Sequence, residues 1–295
     1  MKLSDYQKVF EEHVSEYNLL PRNATVYVLV SGGRDSVAMS WLFNQHAKKR
    51  KDLKIKYLNV VFPQMVFGKS KKEIDATVKK MSKGLRGFTS KVASTSYKKL
   101  ESVQKPCFLC KEVRRKIIAE IISKEKKKNV FIATAHNSYD LLAYFAEIFS
   151  ISFKALAEKE IDYRQLHKIR LKDEQLEHFS HFFPKLELDS GVTLIHPMLR
   201  FSRLEIEDIF CRMFNLKKSF TTGCGPGLLE PCPYANQRPK RVFFNLLKTL
   251  PAQKIESLVQ HNSYKVMLSI MQEKAENYGE ALKNVEKTSY SELLF

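Results

Sequence analysis

Long apolar segments and cysteines are both scarce in this chain of 295 residues. The longest apolar stretches are as short as residues 26–30, Val-Tyr-Val-Leu-Val, so no segment is long enough to span a bilayer. The first residues carry no apolar run behind their charge, so no signal peptide is readable and we expect a cytoplasmic protein. Five cysteines are too few for a disulfide framework, and a closely spaced pair is expected to serve a metal or redox site.

Glycine and acidic residues are also scarce. The ten glycines are about half the usual share of roughly 7%, and five of them lie in two loops, at positions 32, 33, 223, 225 and 227. Such loops are expected to need backbone conformations that other residues avoid. Asp and Glu number 32 against 50 Lys and Arg, a net charge of +18 that favours a polyanionic partner, nucleic acid before an anionic membrane surface. The hydrophobic content of 44% excludes wholesale disorder.

Short apolar runs alternate with helical patterns along most of the chain. Strands are expected at 26–30, 55–62, 89–93, 130–134 and 192–195, and helices at about 4–18, 37–45, 71–83, 109–127, 139–149 and 202–215. This alternation predicts an α/β fold with a doubly wound, mostly parallel, Rossmann-like sheet. From 240 onward the pattern is helical only. We therefore expect an N-terminal helix at 1–21, an α/β domain at 22–220 and a C-terminal helical region at 221–295.

A phosphate-binding loop is predicted directly after the first strand. It consists of Ser31, Gly32, Gly33, Arg34, Asp35 and Ser36, and a helical pattern follows it. The glycines allow consecutive backbone N–H groups to converge on an anion, and the helix N-terminus adds a partial positive charge. The two hydroxyls and the guanidinium are further donors, while Asp35 is expected to cap the helix or to bind magnesium. The competing interpretation is a tight strand-to-helix turn with an Asp or Ser cap.

Cys107 and Cys110 form a Cys-x2-Cys pair at the start of a basic helical pattern. Neighbouring cations favour the thiolate, which is the form that binds metals. Three sites are open: a zinc site that adds Cys224 and Cys232 to the pair, a redox disulfide within the pair, or a 4Fe–4S cluster held by the pair and one of the two later cysteines. Cys211 lies within a helical pattern and is expected to be a buried or half-buried bystander.

The order of the motifs resembles the N-type ATP pyrophosphatases, whose PP-loop reads Ser-Gly-Gly-x-Asp-Ser, and in particular the tRNA 2-thiocytidine and 2-thiouridine synthetases among them. Four motifs occur in the same order: the loop at 31–36, Cys-x2-Cys-x3-Arg-Arg at 107–115, Thr-Ala-His-Asn at 134–137 and Cys-Pro-Tyr-Ala at 232–235. The resemblance implies a transferase that adenylates a tRNA base carbonyl with ATP, releases pyrophosphate and replaces the oxygen with sulfur. It implies Mg²⁺ and a 4Fe–4S cluster as cofactors, tRNA and a sulfur donor protein or sulfide as partners, no membrane, and a homodimer.

The resemblance also assigns the cluster ligands. It implies that Cys107, Cys110 and Cys232 hold the cluster and leave one iron open to carry the sulfur, with Cys224 as the rival ligand. The basic clusters are the expected RNA contacts: Arg115, Lys126, Lys127, Lys128, Arg238, Lys240 and Arg241.

Two of the family's motifs are altered here. Relatives carry Gly-His-Asn-x-Asp-Asp after the fourth strand, where residues 135–140 read Ala-His-Asn-Ser-Tyr-Asp, so Tyr139 replaces the first Asp; an Arg-Pro-Leu-like motif reads His-Pro-Met-Leu at 196–199. The resemblance implies catalysis by Asp140, Arg114 and Asp35, and ATP contact from the loop at 31–36 and from His136, whose alternative is a structural role. Two alternative functions stay open: a PP-loop enzyme with another nucleophile, as in lysidine synthesis, and a catalytically weakened RNA-binding relative.

Overall fold

A six-stranded sheet forms the centre of the protein in the computed structural model, which describes residues 2–61, 70–92, 102–104, 106–125, 129–143, 183–188 and 190–216. The strands are β1 (Thr25–Leu29), β2 (Lys54–Val61), β3 (Phe88–Val92), β4 (Val130–Ala133), β5 (Lys185–Glu187) and β6 (Val192–Ile195). The helices are α1 (Leu3–Glu16), α2 (Arg34–Lys49), α3 (Lys71–Ser82), α4 (Pro106–Ile122) and α5 (Arg203–Met213).

The sheet is mostly parallel, with the strand order β3-β2-β1-β4-β6-β5. Every neighbouring pair is parallel except β5 and β6. The five predicted strands are confirmed. The short edge strand β5 was not predicted, because Lys-Leu-Glu is too short to show an alternating pattern. The C-terminal helical region predicted at 221–295 lies outside the described residues.

Helices cover both faces of the sheet, which explains the near-continuous apolar character of β1. On one face, Val26 and Val28 belong to the main core, which also contains Phe10 of α1, Phe43 of α2 and Phe210 of α5. On the other face, alternate strand residues form a second cluster with the end of α4; its buried members are Tyr27, Leu58, Ile122, Val130, Ile132, Val192 and Leu194. The predicted doubly wound α/β fold is confirmed.

Helix α1 packs directly onto this core. Its Tyr6, Phe10 and Val14 are buried in the main cluster, and the Tyr6 hydroxyl donates to Asp208 of α5 over 2.8 Å. The helical periodicity of the first residues thus reflects a real apolar face. Within the described residues, no helix combines the length and the apolar character needed to cross a membrane.

The strand order reverses between β1 and β4. The chain leaves β1 towards β2 on one side, whereas β4 is followed in the sheet by β6 on the other. In open parallel sheets, ligands bind outside the carboxyl ends of the strands at such a reversal. The loop at 31–36 follows β1 and residues 134–137 follow β4, so the fold brings two of the four predicted motifs to this edge.

Candidate nucleotide site at the sheet edge

The loop after β1 is closed by the Ser36 hydroxyl. This hydroxyl donates to the carbonyl of Gly33 over 3.0 Å and accepts from the N–H of Ser31 over 3.1 Å. The Ser31 hydroxyl lies 3.1 Å from the same oxygen. Gly32 has a φ of +88°, a left-handed conformation that disfavours other residues. The backbone therefore favours glycine at position 32, as predicted, whereas Gly33 has an extended conformation that other residues also adopt.

The N-terminus of α2 faces this loop without a side-chain cap. Its N-cap is Gly33, with extended backbone and no side-chain hydrogen bond. The first N–H groups of a helix lack partners within the helix, so they are suited to bind an anion. Asp35 lies half-buried in the first turn. The N-cap residue itself supplies no side-chain cap, while phosphate binding by this turn stays a prediction.

Asn59 of β2 holds the strand that leads into the loop. It is fully buried, and its side-chain amide donates to the carbonyl of Val30 over 2.6 Å. Its carbonyl oxygen accepts from the Ser90 hydroxyl of β3 over 3.1 Å. Asn59 therefore links β2 to β3 and to Val30, the residue that directly precedes Ser31. The only sign of it in the sequence is a polar residue inside an apolar strand.

Arg34 is bound to α5. Its Nη1 lies 2.6 Å from Oε1 of Glu207, and the same oxygen accepts from Nε of Arg203 over 3.2 Å. Glu207 was not predicted as a site residue, because its spacing from Arg203 is that of an ordinary helical ion pair and 173 residues separate it from Arg34. The contact between Arg34 and phosphate stays a prediction. In the structure, the guanidinium of Arg34 already donates to Glu207.

The segment after β4 is fixed by reciprocal caps. The side-chain carbonyl of Asn137 accepts from the backbone N–H groups of Tyr139 and Asp140, and Oδ2 of Asp140 accepts from the N–H of Asn137 over 3.0 Å. This is the hydrogen-bond pattern of a capping box at a helix start. Nδ1 of His136 lies 2.9 Å from the Thr134 hydroxyl. Asp140 and Tyr139 are both buried, at 6% and 5% exposure, so an aromatic ring occupies the position that relatives fill with Asp.

His196 is neutral at physiological pH. It is fully buried, its Nδ1 donates to the carbonyl of Phe183 over 2.6 Å, and its ring lies 5.2 Å from that of His136. Burial lowers the pKa of His196 from 6.5 to about 4. His13 of α1 donates from Nε2 to the carbonyl of His196 over 3.2 Å, and burial lowers its pKa to about 4 as well. His196 therefore cannot supply the positive charge that Arg supplies in relatives.

The Cys-x2-Cys pair lies at the start of α4. The helix begins at Pro106, so Cys107 lies in its first turn and Cys110, three residues later, begins the second turn. The partial positive charge of a helix N-terminus favours thiolates. Cys110 is half-buried, and so are Arg114 and Arg115 further along the helix. The side chain of Cys107 lies outside the described residues, so metal binding by the pair stays a prediction.

The remaining predicted residues are mostly outside the described part of the chain, namely Lys126, Lys127, Lys128, Cys224, Cys232, Arg238, Lys240 and Arg241. In the part that is described, no group of three or more His, Cys, Asp or Glu is arranged to hold a metal ion. The burial predicted for Cys211 is confirmed at 3% exposure, but its sulfur is disulfide-bonded rather than a bystander thiol.

Residues 4–216 match a protein family described as a PP-loop domain. The chain belongs to this PP-loop family. The match extends from α1 to α5 and includes the six strands of the described residues and the loop at 31–36. Members of this family use ATP, and the match supports ATP binding by this chain.

Three solved structures are similar to this chain to different degrees, and the first of them shares its fold. The U34-tRNA thiolase NcsA from Methanococcus maripaludis, with its [4Fe-4S] cluster, is 21% identical, with a TM-score of 0.52 over 90% of this chain and 78% of that one. An NH3-dependent NAD synthetase from Campylobacter jejuni is 12% identical, with a TM-score of 0.42 over 95% and 96%. An NMN synthetase from Francisella tularensis is 10% identical, with a TM-score of 0.43 over 94% and 95%. No curated protein matches the chain.

Proposed function

We propose that this PP-loop protein is an ATP-dependent transferase that replaces a carbonyl oxygen of a tRNA base with sulfur. The observation that carries the proposal is the presence, in one chain, of a PP-loop at the reversal point of the sheet and a Cys-x2-Cys pair within the first five residues of α4. Two findings support it: the four motifs occur in the order of the tRNA-thiolating enzymes, and NcsA, which shares the fold, is a tRNA thiolase with a [4Fe-4S] cluster.

The PP-loop supplies the phosphate chemistry. The base carbonyl oxygen attacks the α-phosphorus of ATP, and the bond to the pyrophosphate group breaks. Negative charge develops on the departing pyrophosphate, where the α2 N-terminus and the hydroxyls of Ser31 and Ser36 are placed to stabilise it. Asp35 would hold Mg²⁺ from the first turn of α2. Because Ser36 and Asn59 fix this loop before substrate arrives, it does not have to reorganise during the reaction.

The edge after β4 supplies the other wall of the site. His136, held beside the Thr134 hydroxyl, would face the nucleotide. Asp140 would act from the start of its helix, where one of its oxygens already accepts a backbone N–H. Since His196 is neutral, it contributes no positive charge to this wall.

The start of α4 supplies the sulfur end. Cys107, Cys110 and Cys232 would hold a 4Fe–4S cluster, which when bound supplies a positioned sulfur nucleophile. Arg114 lies one turn after Cys110, where it would polarise the base carbonyl and stabilise negative charge as AMP leaves. The atoms balance when sulfide replaces the carbonyl oxygen and that oxygen departs with AMP. The partners of this proposal are tRNA, which suits the charge of +18, and a sulfur donor protein or sulfide, with the chain acting as a homodimer in the cytoplasm.

Anaerobically purified protein tests this proposal through pyrophosphate release. Released pyrophosphate and thiolated nucleosides are both measured with ATP, Mg²⁺ and sulfide, with and without unmodified tRNA, for the wild type and for Cys107→Ala. We expect release that depends on tRNA, and no thiolated product from the variant. Full product formation by Cys107→Ala would instead favour a PP-loop enzyme with another nucleophile. Binding of tRNA without any release of pyrophosphate would indicate an RNA-binding relative.

A further inference from the structure

The ion pair between Arg34 and Glu207 joins the PP-loop to a helix that is remote in sequence. The contact is 2.6 Å long, and the two side chains are only 18% and 9% exposed. Short charged hydrogen bonds that are shielded from water are stronger than surface ion pairs. The guanidinium of Arg34 is therefore held in one place before any nucleotide arrives.

Glu207 is itself a fixed anchor. It lies on α5, whose first turn is capped reciprocally by Ser202 and Glu205. The residue Phe201, just before α5, is also bound to the segment after β4. The backbone N–H and the hydroxyl of Ser138 both donate to the carbonyl of Phe201, over 3.1 and 2.9 Å. A displacement of Glu207 would thus require α5 to move against the edge that carries the segment after β4.

The second arginine on the same oxygen gives the cluster a net positive charge. Arg203 and Arg34 share Oε1 of Glu207, so two cations face one carboxylate at the mouth of the loop. A guanidinium has five N–H donors in a rigid plane. In the described part of the chain, Arg34 donates only from Nη1, which leaves its other N–H groups for an anion. Because His196 is neutral, this pair of arginines is a natural source of positive charge at the edge.

We propose that Glu207 is a positioning residue, which orients the Arg34 guanidinium so that its remaining N–H groups meet the phosphates of ATP. Without this anchor, the flexible arginine side chain would have to be ordered by the nucleotide, at the expense of affinity. The inference rests on the ATP-binding part of the proposed function and does not depend on sulfur transfer.

Calorimetric titration of the full chain with Mg·ATP tests this role through a double-mutant cycle. We expect Glu207→Ala and Arg34→Ala each to weaken ATP binding about tenfold, and the double variant to be no weaker than Arg34→Ala alone, because Glu207 acts through Arg34. Glu207→Gln keeps an oxygen acceptor at the same distance, so we expect binding within about threefold of wild type. Rescue by glutamine is a result that loss of general stability would not produce.

Asp208 offers a matched control on the same helix. Its carboxylate pairs with Arg212 and accepts from Tyr6, both over 2.8 Å, but these partners belong to α5 and α1 rather than to the loop. Asp208→Asn should therefore leave ATP affinity within about twofold. If Glu207→Ala fails to fold, Glu207→Asp replaces it, since the shorter side chain keeps the charge but loses the 2.6 Å contact, and should weaken binding several-fold.

Two results would overturn the inference: additive losses from Arg34→Ala and the Glu207 variant, or equal affinities of the Glu207 and Asp208 variants. If the double-mutant cycle gives the expected affinities but the wild-type protein thiolates no tRNA, the inference stands and the proposed function is refuted.

Discussion

Acidification should destabilise this protein through two buried histidines. His13 is 2% exposed and His196 is not exposed at all, and burial lowers the pKa of both from 6.5 to about 4. The unfolded chain therefore binds protons more tightly than the folded one, so the free energy of unfolding falls as the pH is lowered. Stability is fully present above about pH 6.5 and is lost progressively towards pH 4.

The magnitude follows from the two pKa values of each residue. At pH 5 each histidine is almost fully protonated in the unfolded chain but only about one-tenth protonated in the fold, which costs about 2 kcal/mol per residue relative to pH 8. The two histidines together therefore lower the free energy of unfolding by about 4 kcal/mol, a large share of the roughly 5–15 kcal/mol that is typical of native proteins.

Urea unfolding between pH 8 and pH 5, followed by the fluorescence of Trp41, measures this loss. The matched variant is His13→Gln, whose side-chain amide retains a donor for the carbonyl of His196 but has no proton to gain. We expect this variant to lose about 2 kcal/mol less than wild type over the same range. A pH dependence that is the same for the two proteins would refute the reasoning.

Two further substitutions test the loop support and the cluster ligands. Asn59→Asp should lower the free energy of unfolding by about 3 kcal/mol, because a buried carboxylate would face the carbonyl of Val30 and could not donate to it. Ser90→Ala should lower it by only about 1 kcal/mol. Equal losses for the two variants in urea unfolding at pH 7 would contradict this prediction. Cys107→Ser should abolish bound iron after anaerobic purification while Cys224→Ser retains it, as measured by iron content and visible absorption; loss of iron in both variants would indicate four cysteine ligands.

The strands and the phosphate loop could be predicted because their signals are local. Parallel strands that are buried on both faces consist of continuous apolar runs, and β1 is such a run. The loop at 31–36 needs a left-handed residue at Gly32 and small hydroxyl side chains, so its composition is restricted wherever the fold occurs.

The support of the site could not be predicted because it depends on contacts between distant parts of the chain. Asn59 reads as an interruption in a strand, and its function appears only when Val30 and Ser90 lie on either side of it. In the sequence, Glu207 is recognisable only as a member of an ion pair within one helix. Its contact with Arg34 exists because α5 packs beside the start of α2. The neutral state of His196 likewise depends on its burial, since the sequence shows only a basic residue type at that position.

Mass spectrometry of tRNA nucleosides tests the central claim most directly. Unmodified tRNA is incubated with the anaerobic, iron-loaded protein, ATP, Mg²⁺ and sulfide, then hydrolysed, and the nucleosides are compared with those from a reaction without ATP. We predict one nucleoside whose mass has increased by the exchange of a single oxygen for sulfur, formed only with ATP. Formation of AMP and pyrophosphate with no sulfur in any nucleoside would contradict the claim.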